Sequence, residues 1–124
     1  MTRFFWIAFV PLCLIPLAWA WGDTAQTDGE KPTIKSIMKV AFKEGLARKV
    51  ATGKATADEQ AEFLKLSKAL QELKPPQGDA ESWTEKTKSL VEATQAVIDK
   101  QAEGAALFRT ATNCMTCHEV HKPK

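Results

Sequence analysis

Residues 56–98 read "TADEQAEFLKLSKALQELKPPQGDAESWTEKTKSLVEATQAVI" and contain the signals for two consecutive helices. Thr56 and Glu59 match a capping box, in which each side chain accepts a hydrogen bond from the other residue's free backbone N–H group. The apolar residues that follow recur at spacings of three and four, as one face of a helix requires: Phe63, Leu66, Leu70 and Leu73. The sequence "PPQG" at 75–78 then breaks the pattern, so the first of the two helices should end before it.

The second helix is predicted to begin directly after this break. Asp79 is a residue type that caps helix starts, because its carboxylate accepts hydrogen bonds from the first free N–H groups. The predicted buried face of this helix consists of Trp83, Thr87, Leu90, Val91, Thr94, Val97 and Ile98. Two helices joined by so short a connection are expected to pack side by side in opposite directions.

The same periodicity extends on both sides of residues 56–98. Upstream, Pro32 and Thr33 suit a helix start, and Gly53 suits a helix end. The apolar positions between them are Ile34, Ile37, Met38, Ala41, Leu46 and Val50. Downstream, a fourth helix is predicted from Gly104. The residues predicted to share one of its faces are Leu107, Ala111, Cys114 and His118.

Strand signals are missing from this pattern. No segment alternates with a period of two, the sequence has no tyrosine, and valine and isoleucine recur at helical spacing. The sequence therefore predicts an all-α fold. Four helices with short connections favour an antiparallel up-down-up-down four-helix bundle, which we expect residues 32–124 to form as one domain.

The first twenty residues, "MTRFFWIAFVPLCLIPLAWA", have the features of a secretory signal peptide. Arg3 precedes an apolar run, and the sequence "AWA" at 18–20 is a pattern that signal peptidase accepts. We expect residues 1–20 to be cleaved, together with Cys13, and residues 21–31 to form a flexible lead-in. A retained membrane anchor is the alternative, which the prolines within the run disfavour. The protein is thus expected to be exported to the periplasm and to meet a membrane only through its signal peptide.

Composition and charge are ordinary for a globular protein. The 124 residues are 44% hydrophobic and 26% charged, and 17 basic against 15 acidic residues give a formal net charge of +2. These charges are spread along the chain without a block of like sign that would bind a phosphate backbone. Nucleic acid is therefore not expected among the partners.

The sequence "CMTCH" at 114–118 matches the attachment motif for c-type haem. On a helix, Cys114 and Cys117 lie about one turn apart and face the same way, so both thiols can form thioethers with the two vinyl groups of haem. His118 follows directly and can ligate the iron from one side. Covalent attachment prevents haem loss by dissociation, which suits a protein that is expected to be exported.

Three other kinds of site compete with haem attachment. A thioredoxin-type redox pair requires a βαβ setting, and no strand is predicted to provide one. A zinc site formed by Cys114, Cys117, His118 and His121 is disfavoured, because four ligands within eight residues of one helix do not readily surround an ion tetrahedrally. A disulfide between Cys114 and Cys117 would close almost no loop and would stabilise the fold little.

An exported chain of four helices with CxxCH near its C-terminal end resembles the class II cytochromes c, the family of cytochrome c-prime and its low-spin relatives. The sequence "CMTCHEVHK" at 114–122 carries most of the resemblance, because the family usually has a basic residue four positions after the ligand histidine, where Lys122 stands. The sequence "PTIKSIMKVAF" at 32–42 departs from it, since many members have an Arg-Gln pair where Lys35 and Ser36 stand.

The resemblance implies one covalent haem c near the C-terminal end of the fourth helix. It also implies redox partner proteins. Some relatives form a homodimer through the first and second helices, and the sequence leaves open whether this chain does.

The bundle topology predicts which side chains surround His118. The end of the fourth helix should meet the start of the first, the end of the second and the start of the third. The residues expected near His118 are therefore Ile34, Ile37, Met38, Leu70, Leu73, Pro75, Trp83 and Thr87. Lys122 either hydrogen-bonds a haem propionate or remains solvated. His121 lies one turn beyond His118, cannot reach the opposite side of the same iron, and is expected at the surface.

Two functions follow from a bound haem. A one-electron carrier keeps both axial ligands in both oxidation states, and Met38 is the side chain of the first helix best suited to be the second ligand beside His118. A vacant sixth site, with Met38 only packed nearby, favours the binding of nitric oxide or carbon monoxide instead. No acid-base constellation accompanies the motif, so we do not expect an enzyme.

Overall fold

The computed structural model describes residues 31–124, and their regular structure is entirely helical. The prediction of an all-α fold is confirmed for this part of the chain. The signal peptide predicted over residues 1–20, and all but the last residue of the lead-in predicted over 21–31, lie outside the described residues. Within residues 31–124, no helix combines the length and the apolar character that crossing a membrane requires.

Seven helical segments follow one another along the described chain. They are α1 (Ile34–Ile37), a π-helical segment (Met38–Lys43), α2 (Leu46–Ala51), α3 (Ala57–Glu72), α4 (Ala80–Ile98), α5 (Gly104–Ala111) and α6 (Cys114–His121). The two longest, α3 and α4, pack against each other, and α5 also packs against α4. The segments surround one cluster of buried side chains.

The starts of α3 and α4 are capped as the sequence predicts. The Thr56 hydroxyl accepts a hydrogen bond from the Glu59 N–H group at 3.2 Å, and the Glu59 carboxylate accepts one from the Thr56 N–H group at 2.9 Å. Asp79 caps α4 by accepting from the Ser82 N–H group at 2.8 Å. Each such cap typically stabilises a helix by about 1 kcal/mol. These local signals fix where the two central helices begin.

An ion pair between Lys49 and Glu59 joins α2 to the start of α3. The hydrogen bond from Lys49 is the largest cause that holds the pKa of Glu59 below its usual value, and the backbone N–H group of Thr56 acts in the same direction. The carboxylate therefore stays ionised where it caps α3.

The first predicted helix is divided into α1, the π-helical segment and α2, so the expectation of one helix up to Val50 is wrong. Its start is as predicted, because Thr33 caps α1 and exchanges hydrogen bonds with Ser36. The division occurs at Gly45, whose φ of 88° is left-handed and cannot continue a right-handed helix. The apolar period runs through this position unbroken, which is why the sequence pattern conceals the break.

The fourth predicted helix is also divided. Helix α5 ends at Ala111, and α6 begins at Cys114 after Asn113, whose side-chain oxygen accepts a hydrogen bond from the Met115 N–H group at 3.1 Å. The residues predicted to share one helix face therefore lie on two helices, Leu107 and Ala111 on α5 and Cys114 and His118 on α6, although all four line one groove. Asparagine favours such breaks because its side chain competes with the backbone for hydrogen bonds.

The core is centred on Phe63, which is fully buried. Its ring contacts those of Phe42, at 5.8 Å between ring centroids, and Phe108, at 5.3 Å. The nine buried members of the cluster are Ile37, Ala41, Val50, Phe63, Leu70, Trp83, Leu90, Ala93 and Phe108. Seven of them lie on the predicted apolar faces, whereas Ala93 and Phe108 were not among the predicted positions. Phe42, which packs against the cluster, was not predicted either.

Contacts at the helix ends connect neighbouring segments. The Trp83 indole N–H group, near the start of α4, donates a hydrogen bond of 2.7 Å to the Leu73 carbonyl just after α3. At the other end of α4, Gly104 opens α5 so close to Ala96 that a Cβ atom would lie 2.7 Å from the Ala96 carbonyl oxygen. Helices α4 and α5 thus approach backbone to backbone, and only glycine fits at this point.

Replacement of Phe63 by alanine should destabilise the fold strongly. The change removes a fully buried ring that contacts two other segments, and such substitutions cost about 3–5 kcal/mol in the free energy of unfolding. Urea denaturation followed by far-UV circular dichroism measures this loss. Lys65→Ala, at an exposed position of the same helix, is the control and should change stability by less than about 0.5 kcal/mol. Equal effects of the two substitutions would refute the central role of Phe63.

Candidate functional site

A groove of about 1230 Å³ runs along α4, α5 and α6 and reaches the π-helical segment. It is larger than the roughly 300–1,000 Å³ typical of small-molecule sites. Buried side chains that line it include Leu70 of α3 and Leu90 and Ala93 of α4. Charged residues line it as well, among them Glu85 and Lys86. The groove therefore has room for a large and partly polar group.

The three chemically distinctive residues of the CxxCH motif all line this groove. Cys114 is exposed at the start of α6, where its thiol lies 3.7 Å from the Thr112 carbonyl oxygen. Cys117 is half-buried and packs against the core cluster, and both thiols are free. His118 is exposed. The break at Asn113 thus starts a new helix whose first turn presents both thiols to one groove.

The two cysteines differ in their surroundings. Burial raises the pKa of the Cys117 thiol, and the negative charge that Cys114 can carry acts in the same direction. The positive charge of Lys86 opposes this increase but does not cancel it. Cys117 is therefore a protonated thiol at neutral pH.

Met38 lines the same groove as the CxxCH residues. It is half-buried and is the first residue of the π-helical segment, where its N–H group is shared between the Ile34 and Lys35 carbonyl groups. Segments of π-helix are rare and occur frequently at functional sites. The thioether and the histidine ring thus belong to one groove although they come from opposite ends of the described chain.

Two more of the residues predicted near His118 line the groove, namely Leu70 and Thr87. The Thr87 hydroxyl donates a hydrogen bond of 2.8 Å to the Trp83 carbonyl and needs no partner from the groove. The remaining predicted pocket residues have other places. The core cluster contains Ile34, Ile37, Leu73 and Trp83, and Pro75 lies in the connection after α3.

Lys122 follows α6 directly, and its side chain is exposed. Its carbonyl accepts a hydrogen bond of 2.6 Å from the Gln77 side-chain amide. This residue therefore contributes a backbone anchor to the structure.

Several residues that line the groove were not predicted, including Phe42, Lys43, Lys86 and Leu90. Leu90 follows Thr87 by three positions on the predicted face of the third helix, so its membership could have been inferred. The two lysines carry no such signal, because a lysine on a helix surface is usually solvated.

His121 is buried, with 2% of its surface exposed, so the expectation of a surface histidine is wrong. Its Nδ1 atom lies 3.0 Å from the Gln77 carbonyl oxygen, and because a carbonyl only accepts, Nδ1 carries the proton. Its Nε2 atom lies 3.3 Å from the Ser82 hydroxyl, and the ring meets that of Trp83 edge-on at 5.3 Å. Its position one helical turn after Cys117 places it on the same face of α6 as that half-buried residue.

This placement separates the two histidines chemically. His121 is engaged with Gln77 and Ser82, so it is not available as the fourth ligand of the zinc site considered above. Among residues 31–124, no group of three His, Cys, Asp or Glu side chains is arranged to hold a metal ion. These residues also form no strand, so they do not supply the βαβ setting of a thioredoxin-type pair.

Comparisons of the chain with protein-family models, with curated proteins and with solved structures find no match.

The substitution His121→Ala should lower the free energy of unfolding by about 2–4 kcal/mol. It removes a ring packed on Trp83 and leaves the Gln77 carbonyl without its partner, and both effects are destabilising. Glu119→Ala, at an exposed position of the same helix, should have little effect. Chemical denaturation of both variants measures the difference, and a His121→Ala variant as stable as Glu119→Ala would contradict the burial described here.

Proposed function

We propose that the protein is an exported monohaem c-type cytochrome that carries one electron at a time, as its resemblance to the class II cytochromes c implies. One observation carries the proposal. Cys114, Cys117 and His118 line a single large groove, and Met38 lines the same groove. Two free thiols, an exposed imidazole and a thioether are the donor set that a covalent haem with two axial ligands requires.

The donor set fits haem attachment in chemistry and in space. Each thiol can add its S–H bond across one vinyl group, which forms a thioether and needs no further reactant. Cys114 is exposed and Cys117 is half-buried, so the two sulfur atoms lie at different depths along the edge of the groove. The imidazole ring of His118 provides the nitrogen that would bind the iron.

Met38 is proposed as the second axial ligand. A haem held between His118 and Met38 would supply a one-electron couple, with a potential that a His/Met ligand pair raises. The chain contributes exclusion of water, since Leu70, Leu90 and Ala93 are buried where they line the groove. The thioether of Met38 is neutral and needs no deprotonation before it binds a metal.

Contacts at the helix ends support the up-down-up-down bundle that belongs to this proposal. The start of α4 is bonded to the residue after α3 through Trp83 and Leu73, and the start of α5 lies against Ala96 near the end of α4. A reversal of chain direction after each helix produces such contacts. The proposed fourth arm consists of α5 and α6 together.

Electron transfer is favoured over catalysis by the composition of the groove. Among the described residues that line it, His118 is the only histidine and none is arginine, so no histidine or arginine besides the proposed iron ligand is placed to assist the cleavage of a bound peroxide. The proposal includes redox partner proteins and export through residues 1–20. Binding of nitric oxide or carbon monoxide at a vacant sixth site is the alternative that the spectra described below distinguish.

The matured protein should carry one haem that remains bound after acid-acetone extraction and that stains on denaturing gels. Replacement of both cysteines, Cys114→Ala and Cys117→Ala, should abolish covalent haem, because no thiol remains at the groove. The conservative control is Thr116→Ala, which lies within the motif but contributes no sulfur. Free extraction of the haem from the unchanged protein, or full covalent loading of the double variant, would refute the proposal.

The ferric protein should show the weak far-red band of thioether ligation and a low-spin ferrous state that binds carbon monoxide slowly. Met38→Ala should abolish the band and accelerate carbon monoxide binding. Met115→Ala is the matched control, since Met115 is 61% exposed and does not line the groove. A high-spin ferric spectrum that Met38→Ala leaves unchanged would move the protein to the gas-binding class.

A further inference from the structure

Helix α6 is attached to the rest of the protein mainly through its C-terminal end. Six of its eight residues are exposed, and only Cys117 and His121 turn inward. Its N-terminal end follows the break at Asn113, whose side chain caps α6 itself and whose N–H group donates to the Thr110 carbonyl of the preceding α5 at 3.2 Å. An isolated helix of eight residues is not stable in water. The orientation of α6 therefore depends on what holds its last turn.

A reciprocal set of hydrogen bonds holds this last turn to the connection between α3 and α4. The His121 ring donates to the Gln77 carbonyl at 3.0 Å, across 44 residues of sequence. In return, the Gln77 side-chain amide donates to the Lys122 carbonyl at 2.6 Å and lies 3.4 Å from the Val120 carbonyl. We call Gln77, Gly78 and His121 the clamp.

Gly78 makes the close approach of the two segments possible. A Cβ atom at this position would lie 2.8 Å from the Val120 carbonyl oxygen and 2.9 Å from His121 Nδ1. Its φ of 82° is also in the left-handed region. The turn thus meets α6 with no side chain between them, and the buried His121 ring fills the space up to Trp83.

We infer that the clamp is a positioning device for His118: it fixes the rotation and height of α6, and so holds the His118 ring at the groove. His118 and His121 are three residues apart on one short helix, so a shift of the α6 backbone displaces both rings. The Lys122 N–H group, bonded to the His118 carbonyl at 3.2 Å, joins the clamped end directly to the His118 backbone. The inference rests on the proposed function for the identity of the group that His118 binds.

A pair of glycine substitutions tests the clamp. Gly78→Ala places a methyl group into it, whereas Gly53→Ala adds the same methyl group at a φ of 70° with no atom within 4 Å. Both variants suffer backbone strain, but only the first displaces α6. In matured protein, amide hydrogen exchange of peptides from residues 114–122 should become at least about tenfold faster in Gly78→Ala than in Gly53→Ala.

The second readout reports on His118 itself. In the haem-bearing protein, Gly78→Ala should shift the midpoint reduction potential and increase the high-spin fraction of the ferric spectrum, while Gly53→Ala should match the unchanged protein. A loss of stability alone would not shift the potential of the folded molecules. Faster exchange without any change of potential or spectrum would overturn the positioning role.

A second pair of substitutions, which disturbs the backbone less, tests the clamp if Gly78→Ala does not fold. Gln77→Ala removes only the side-chain half of the clamp, and Gln60→Ala removes a comparable bond, to the Ala55 carbonyl at 3.4 Å, far from α6 in sequence. If exchange, potential and spectrum change in Gln77→Ala but not in Gln60→Ala, the clamp is supported. If the two variants give the same results, the clamp is overturned. If neither the unchanged protein nor any variant carries covalent haem, the proposed function fails. Amide exchange of residues 114–122 that is faster only in the Gly78 or Gln77 variant would then still support the clamp.

Discussion

The contact of Phe63 with Phe42 and Phe108 is the interaction on which the rest of the structure depends. It joins α3 to the π-helical segment on one side and to α5 on the other. Phe42 also lines the groove, so the packing that stabilises the core sets one wall of the site. Aromatic pairs of this kind add about 0.5–1.5 kcal/mol to the free energy gained by burial of their surface. The groove and the core therefore share residues, since Leu70 and Leu90 line the groove and also belong to the buried cluster.

Helix starts and ends that depend on neighbouring residues could be predicted from the sequence. The caps at Thr56 and Asp79 and the helix end before the prolines depend on neighbours in sequence, and the structure has each of them. The breaks at Gly45 and Asn113 were missed because the apolar period continues through both. A glycine or an asparagine inside a periodic pattern is compatible with either outcome, and packing decides between them.

In the candidate site too, features set by neighbours in sequence could be predicted, and features set by packing could not. The spacing of Cys114, Cys117 and His118 is a local property, and the three residues share a groove. For residues farther away, an apolar stripe indicates which face of a helix is buried but not which neighbour it meets. Leu70 and Ile37 therefore both lie in the core cluster, but only Leu70 also lines the groove. The burial of His121 depends on Gln77, 44 residues earlier, and no pattern within its own helix identifies that partner.

The division of the last arm into α5 and α6 reconciles two requirements that a single helix cannot meet. Gly104 brings α5 so close to Ala96 of α4 that the two backbones touch, which leaves little space between these helices. A site for a large group needs the opposite, a wide separation at the other end of the arm. The break at Asn113 lets the chain change direction between the two, because α6 no longer continues the axis of α5. Because the break leaves the orientation of α6 free at its start, contacts at its other end must fix that orientation. The bonds between His121 and Gln77 lie at that end.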